Sequence, residues 1–194
     1  MRPPLRAPAR RLFFALWATA EERRALSAAA AAAVGTSGGR AVPEENLHVT
    51  LAFLGQVPTA RTTELAALAH RVGTNGALAG TPLVLQFERL AYWHAPQILV
   101  ALSTAGAAPA AALGAALQRE ASAAGFLPDL KPFRAHVTVA RKVRHAAAST
   151  PLPSVSWKCA EFALVESRTV ATGSVYSVLE SYLLGKGEKL RTQR

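Results

Sequence analysis

Two segments of the chain repeat one pattern: Asn46-Leu47-His48-Val49-Thr50-Leu51-Ala52 and Arg134-Ala135-His136-Val137-Thr138-Val139-Ala140. Both alternate apolar and polar residues, which is typical of a β-strand with one face in the core. Because successive side chains of a strand point to opposite faces, the histidine and threonine of each copy share one face, and aliphatic residues occupy the other. The repeat therefore predicts two related strands, each with a core face and a polar face.

The polar faces of these strands carry the candidate catalytic groups, His48 with Thr50 and His136 with Thr138. Imidazole titrates near neutral pH, so one histidine can accept a proton from an attacking oxygen while the other donates a proton to a departing oxygen. The threonine hydroxyls can donate hydrogen bonds to the non-bridging oxygens of a phosphate. A single His-x-Thr segment on a strand often occurs by chance. Two copies, each with the histidine and threonine on the polar face of its strand, indicate a site that cleaves phosphodiesters.

The position five residues after each histidine differs between the copies, with Phe53 in the first and Arg141 in the second. Strict alternation places both on the apolar face, where Phe53 would pack in the core, and only a bulge near the strand end would redirect them. Basic residues cluster around the second copy: Lys131, Arg134, Arg141, Lys142 and Arg144. Such a cluster is most simply a solvated edge, but beside the predicted site Arg134 and Lys142 could contact an RNA backbone.

The composition indicates a basic globular protein. Of the 194 residues, 51% are hydrophobic, and the net charge of +10 favours an anionic partner such as RNA or a nucleotide. Cys159 is the single cysteine, which excludes an internal disulfide and a Cys-pair metal site. His70, His94 and His145 lack ligand spacing, so we expect no metal and no cofactor. No apolar run approaches the roughly 20 residues needed to cross a bilayer, so no membrane association is expected.

Helices and strands are mixed, but the strands also come in consecutive pairs, which predicts an α+β fold with mainly antiparallel sheets. Strands are expected at 11–17, 47–54, 83–90, 97–103, 133–142, 161–169 and 175–184, and helices at 21–34, 59–73 and 109–125. A Pro/Ser/Thr-rich stretch, 149–156, is expected to connect the fifth and sixth strands as a loop. Residues 1–10 and 185–194 are expected to be flexible basic tails of a single domain, 11–184.

The N-terminal residues allow two interpretations. Arg10-Arg11, a following apolar stretch and Ala18-Thr19-Ala20 resemble a twin-arginine export signal with its cleavage site. The aromatic content of 11–17 and a capping box formed by Thr19 and Glu22 favour a strand followed by a helix instead. We therefore expect a cytoplasmic protein, with export as the alternative.

The repeat and its flanks resemble the two-histidine phosphoesterases, most closely the bacterial RNA 2′,3′-cyclic phosphodiesterases, also called 2′-5′ RNA ligases. The similar segments are Arg11–Leu16, Asn46–Gly55, Pro132–Lys142 and Val165–Arg168. The resemblance implies a two-lobed fold with an internal duplication, in which each lobe contributes one histidine strand to a central groove and helices lie outside. It also implies metal-independent hydrolysis of an RNA 2′,3′-cyclic phosphate end to a 2′-phosphomonoester, with 2′-5′ joining as the reverse type of reaction.

By position, the resemblance implies that His48 is the general acid for the leaving 3′-oxygen and His136 the general base that activates water. The near symmetry of the two segments leaves the reverse assignment open. The remaining matches are Thr50, Thr138 and Arg141 for phosphate binding and Phe53 for the base pocket. We expect a monomer without an obligate protein partner.

Two other functions remain open at this point. One is a phosphodiesterase that opens a small cyclic nucleotide or a cyclic phosphate of ADP-ribose. The other is an RNA-binding module that keeps the groove and the positive charge but has no catalytic activity.

Overall fold

A computed structural model describes residues 7–74, 82–146, 148–171 and 173–184 of the chain. In these ranges every strand joins one antiparallel sheet, and the helices are α1 (Ala20–Thr36), α2 (Thr62–Thr74) and α3 (Ala107–Ala123). The strands are β1 (Ala9–Leu16), β2 (Arg40–Ala41), β3 (Val49–Pro58), β4 (Leu83–Trp93), β5 (Ile98–Ala105), β6 (His136–Arg141), β7 (Ser149–Cys159), β8 (Glu161–Val170) and β9 (Gly173–Leu183).

The strand order is symmetric about the two strands that carry the repeat. Hydrogen bonding runs β7-β4-β5-β6-β3-β1-β8-β9, with β2 added beside β6. Four strands therefore lie on each side of the β6–β3 junction, where Val49 pairs with Val137. The predicted α+β class with antiparallel sheets and an internal duplication is confirmed.

Helix α1 begins at the predicted capping box. The backbone N–H of Thr19 donates to Glu22 Oε2 at 2.9 Å, and the backbone N–H of Glu22 donates to Thr19 Oγ1 at 3.2 Å. The indole N–H of the fully buried Trp157 donates to the backbone oxygen of Glu22 at 3.0 Å, which ties β7 to the helix. Strand β1, which precedes α1, lies between β3 and β8 inside the sheet.

The expected loop at 149–156 is wrong, because these residues form most of β7. The strand buries Leu152, Val155, Trp157 and Cys159. It lies at the edge of the sheet and pairs with β4, and its register shifts between Pro151 and Val155. Proline is tolerated in edge strands and at bulges, where its missing N–H costs no ladder hydrogen bond. The prolines therefore did not indicate a loop.

Other element bounds also differ from the expectation. Strand β1 begins at Ala9, inside the segment expected to be a tail, and β3 continues through Gly55 to Pro58. Gly55 adopts a φ of 68° beside a register shift, a conformation that glycine accepts at little cost. The strand expected at 133–142 is shorter, and α2 follows a 3₁₀ turn. Residues 1–6 and 185–194 of the expected tails lie outside the described residues.

Candidate active site

A cavity of about 260 Å³ opens on the polar face of β3 and β6. Six residues singled out from the sequence line it: His48, Thr50, Phe53, His136, Thr138 and Arg141. Because Val49 pairs with Val137 in an antiparallel register, His48 falls opposite Thr138, and Thr50 falls opposite His136. The fold therefore brings both copies of the repeat to one cavity in an approximately two-fold arrangement.

Phe53 and Arg141 reach the cavity because each strand has a bulge three residues after its histidine. The pairing of β1 with β3 skips Leu51, and the pairing of β5 with β6 skips Val139. One extra residue reverses the alternation of faces beyond it. Strict alternation would place Phe53 and Arg141 on the apolar face, but the bulges that could redirect them are present and both residues line the cavity.

Helix α3 supports the bulge of β3 through a close contact at Gly114, where an added Cβ would lie 2.9 Å from the carbonyl oxygen of Leu51. We expect Gly114→Ala to lower the free energy of unfolding, because overpacking against backbone costs about 1–3 kcal/mol and exceeds the gain of about 1 kcal/mol in helix propensity. Urea denaturation measures the change. Gly35→Ala in α1 is the matched control. A Cβ added at Gly35 would meet no atom from another part of the protein within 4 Å, so this substitution should not destabilise the protein. If Gly114→Ala and Gly35→Ala changed the free energy of unfolding equally, the close contact between Gly114 and Leu51 would be contradicted.

Each of the two candidate catalytic histidines is oriented by a contact between its ring and a backbone carbonyl two residues earlier. Nδ1 of His48 lies 2.7 Å from the carbonyl oxygen of Asn46, and Nδ1 of His136 lies 2.7 Å from that of Arg134. Because a carbonyl oxygen only accepts hydrogen bonds, Nδ1 carries the proton in each ring and donates it. Nε2 is left to accept a proton when the ring is neutral and to donate one when it is charged.

Aromatic rings surround His48 on several sides. The ring centroids of Phe13, Trp17 and Tyr176 each lie 5.0 Å from that of His48. Trp17 is stacked on the imidazole, with 9° between the planes. These rings hold the side chain in place and keep water from much of it.

Burial lowers the pKa of both histidines, that of His48 to about 4. The carbonyl contact raises the pKa of each ring, whereas the charge of Arg141 at His48 and of Arg134 at His136 lowers it further. Both imidazoles are therefore neutral at pH 7 in the ligand-free protein. A phosphate bound between the rings favours their charged forms, because an opposite charge raises the pKa of a base.

His136 has a different neighbour, Trp93 at the end of β4, with 4.5 Å between ring centroids. The guanidinium carbon of Arg134 lies 5.3 Å from the centre of the Trp93 ring. Neither Arg134 nor Lys142 is among the residues that line the cavity. Lys142 is exposed just beyond β6 and has a φ of 55°.

Positive charge lines the cavity without a carboxylate partner. Arg11 and Arg141 contribute guanidinium groups, and the described lining residues include no Asp or Glu. The Arg11 guanidinium carbon lies 4.8 Å from the centre of the Phe53 ring, and Arg141 Nη2 is 3.4 Å from Tyr176 Oη. Neither arginine joins an ion pair in the part of the chain that the structure describes. The cavity is suited to an anion.

The sequence interpretation missed the part of the cavity that comes from strands other than β3 and β6. Arg11 and Phe13 belong to β1, Ser167 to β8, and Ser174 and Tyr176 to β9. Arg11 and Phe13 occupy alternate positions of a predicted strand, which was the available signal. The residues of β8 and β9 gave no such signal, because only the strand order β1-β8-β9 brings them near the cavity.

The remaining histidines lie away from the cavity. His70 is exposed on α2, and His94, in the turn after β4, has its ring 4.4 Å from that of Tyr92. His145 is also exposed. Across the described ranges, His, Cys, Asp and Glu side chains form no group of three that could hold a metal ion. In the same ranges no helix is long and apolar enough to cross a membrane.

Comparison with known proteins yields consistent similarities. The model of the 2′-5′ RNA ligase superfamily matches residues 14–171. The RNA 2′,3′-cyclic phosphodiesterase of Thermus thermophilus is 33% identical over 190 residues, which is 94% of each chain. The protein of the same name from Escherichia coli is 30% identical, covering 90% of this chain and 96% of the relative. The crystal structure of LigT from E. coli in apo form has a TM-score of 0.80 at 26% identity and covers 92% of this chain and 99% of LigT.

Proposed function

The chain belongs to the 2′-5′ RNA ligase superfamily of two-histidine phosphoesterases and is a cyclic phosphodiesterase, and we propose that it hydrolyses RNA 2′,3′-cyclic phosphate ends to 2′-phosphomonoesters without a metal ion. One observation carries this proposal. His48 and His136, each with its Nδ1 proton held by a carbonyl, line a single positively charged cavity. Two free Nε2 atoms beside one phosphorus supply the proton acceptor and the proton donor that hydrolysis requires.

In the proposed reaction, Nε2 of neutral His136 accepts a proton from water as the water oxygen attacks phosphorus. The bond from phosphorus to O3′ breaks, and the protonated Nε2 of His48 donates its proton to O3′. The 2′-ester remains, so the product is a 2′-phosphate.

The phosphate itself prepares His48 for the role of acid. The pKa of about 4 in the ligand-free protein leaves this ring neutral, and an anion beside it raises that pKa. The stacked Trp17 contributes in the same direction, because aromatic faces attract cations. His48 would thus be charged when substrate is bound.

Thr50, Thr138 and Arg141 are proposed to bind the non-bridging phosphate oxygens. All three line the cavity, and hydroxyl and guanidinium donors aimed at a phosphate stabilise the charge that develops during displacement. Phe53, which also lines the cavity, is proposed to contact the terminal base. Arg134 and Lys142 lie outside the cavity and are proposed to contact the RNA strand.

The family acts on RNA, and we propose that the part of the RNA bound in the cavity is its 2′,3′-cyclic phosphate end. We further propose that the protein acts as a monomer, formed by one domain (11–184), without an obligate protein partner. Export by cleavage near Ala18–Ala20 would remove β1 from the interior of the sheet. The position of β1 supports retention of the segment and a cytoplasmic location.

Product analysis with a dinucleotide that ends in a 2′,3′-cyclic phosphate tests the proposal. We expect turnover that EDTA does not reduce and a 2′-phosphate as the product. Sensitivity to the chelator would contradict the metal-free mechanism, and a 3′-phosphate would contradict cleavage at O3′. Turnover of only a small cyclic nucleotide or of ADP-ribose cyclic phosphate would support that substrate class instead, and RNA binding without turnover would support a binding module.

A further inference from the structure

Arg11 of β1 is a second cation in the cavity, separate from the phosphate site that the repeat provides. The residue is exposed, lines the cavity and joins no ion pair in the described ranges. We propose that Arg11 binds the phosphodiester one nucleotide upstream of the cyclic end, so that the protein prefers the end of an RNA strand to a nucleoside cyclic phosphate. This inference rests on the proposed function and names a residue that determines its specificity.

The positive charge of the cavity exceeds the negative charge of the reacting group. A cyclic phosphodiester carries one negative charge, and Arg141, on the same strand as His136 and Thr138, is the guanidinium proposed to bind it. Arg11 therefore has no anion to bind when the substrate is a nucleoside cyclic phosphate. In an RNA strand the next anion is the phosphodiester attached to O5′ of the terminal ribose, since the chain ends at the cyclic phosphate on the other side.

The register of β1 with β3 separates Arg11 from the reacting phosphate. Thr50 pairs with Ala15, whereas Arg11 pairs with Gln56, beyond both register shifts between these strands. Ala15 and Arg11 are four residues apart on β1, which is about 13 Å at the usual rise of a strand. On the same face of β1, Phe13 and Ala15 are buried and Arg11 is exposed. Arg11 thus lies at the solvent end of this face, where an RNA strand can leave the cavity.

Phe53 lies between these two positions. It pairs with Phe13, midway between Ala15 and Arg11, and the Arg11 guanidinium carbon lies 4.8 Å from the centre of its ring. This cation–π contact holds the guanidinium near the ring. If the terminal base contacts Phe53, as proposed above, its ribose joins a phosphate at the histidines to a phosphate on the side of Arg11. The order of anion site, aromatic ring and second anion site matches one nucleotide between two phosphates.

Ser167 of β8 adds a hydroxyl beside Arg11. The two residues are partners in the register of β1 with β8, and Ser167 lines the cavity although it is buried. Guanidinium and hydroxyl groups both donate hydrogen bonds to phosphate oxygens. Contacts to phosphate carry no sequence information. The proposed preference is therefore for a strand over a single nucleotide and not for a particular upstream base.

The test compares two dinucleotides that differ only in the charge of their internal linkage. Both end in a 2′,3′-cyclic phosphate, but one has a phosphodiester and the other a neutral methylphosphonate between the nucleosides. We expect kcat/KM of the unaltered protein to be about tenfold higher for the phosphodiester, the order expected for one charge-assisted hydrogen bond. Arg11→Gln should bring this ratio close to one. General damage to the site slows both substrates together and leaves their ratio unchanged.

Two variants complete the experiment. Arg11→Lys should retain part of the ratio, because lysine keeps the charge but lacks the planar fork. Arg10→Ala is the matched control and should retain the full ratio, since Arg10 lies on the other face of β1 with its Nη1 3.7 Å from Glu166 Oε2. A ratio near one in the unaltered protein, or a ratio that Arg11→Gln does not lower, would overturn the upstream site. Absence of turnover of both dinucleotides and of a nucleoside 2′,3′-cyclic phosphate would instead refute the proposed function itself.

Discussion

Replacing His136 by alanine is expected to lower kcat by about 10²–10⁴-fold, the usual contribution of a positioned acid or base. Nε2 of this ring is the proton acceptor in the proposed mechanism, and Nδ1 is committed to the carbonyl oxygen of Arg134. KM should change little, because Arg141 and the two threonines that line the cavity remain in place. Steady-state kinetics on the cyclic-phosphate dinucleotide measures both parameters.

His70→Ala is the matched control, since it removes an imidazole from an exposed position on α2. It should leave kcat unchanged. Normal turnover by His136→Ala would contradict the acid–base mechanism. An equal loss in both variants would instead indicate general damage to the protein.

The pH dependence of kcat, which reports the ionisations of the enzyme–substrate complex, distinguishes the two roles. The base must be neutral, so the rate falls on the acid side, whereas the acid must be protonated, so the rate falls on the alkaline side. The His136 variant should therefore lose the acid limb of the profile, and His48→Ala should lose the alkaline limb. The opposite pattern would reverse the assignment that the near two-fold symmetry of the cavity leaves open.

The repeat in the sequence was informative because it showed both which side chains are reactive and which face of each strand they occupy. His48, Thr50, His136 and Thr138 alternate with buried aliphatic residues, and the structure places all four on one cavity. A strand pattern determines the face of a side chain only while the ladder is regular. Beyond the bulge in each strand the alternation fails, so the faces of the residues that follow could not be predicted.

Other parts of the cavity depend on contacts between distant segments. Tyr176 lies beside His48 because the β8–β9 hairpin extends the sheet from β1, and nothing in its own sequence indicates that neighbour. The edge strand β7 was missed for a related reason. Pro151 and Pro153 argue against a central strand, but the sequence does not show that this strand lies at the edge.

The two halves of the site differ most in the groups that surround their histidines. The carbonyl contact is the same, at 2.7 Å in each half, yet His48 contacts three aromatic rings while His136 lies against Trp93 and near Arg134. Duplicated strands thus supply equivalent reactive atoms, and the residues outside the repeat make them unequal. The two histidines therefore differ in their surroundings although their strands are duplicated.

Removing the threonine hydroxyls is the second change that we expect to lower kcat strongly. The two threonines occupy equivalent positions in the two copies of the repeat. Thr50 lies opposite His136 and Thr138 lies opposite His48, and both line the cavity. Valine keeps the shape of threonine but removes the hydroxyl, and the loss of one donor to a developing oxyanion lowers kcat by about 10²–10³-fold. We expect Thr50→Val and Thr138→Val each to lower kcat by about 10²-fold on that basis.

The double variant shows whether the two hydroxyls act on different phosphate oxygens. Independent contacts have additive free energies, so Thr50→Val with Thr138→Val should lower kcat by about 10⁴-fold. Thr63→Val, at an exposed position of α2, is the matched control and should leave kcat unchanged. A double variant no slower than either single variant would show that the hydroxyls share one role. That result would contradict a phosphate held symmetrically between the two strands, because a symmetric cavity presents one donor from each side.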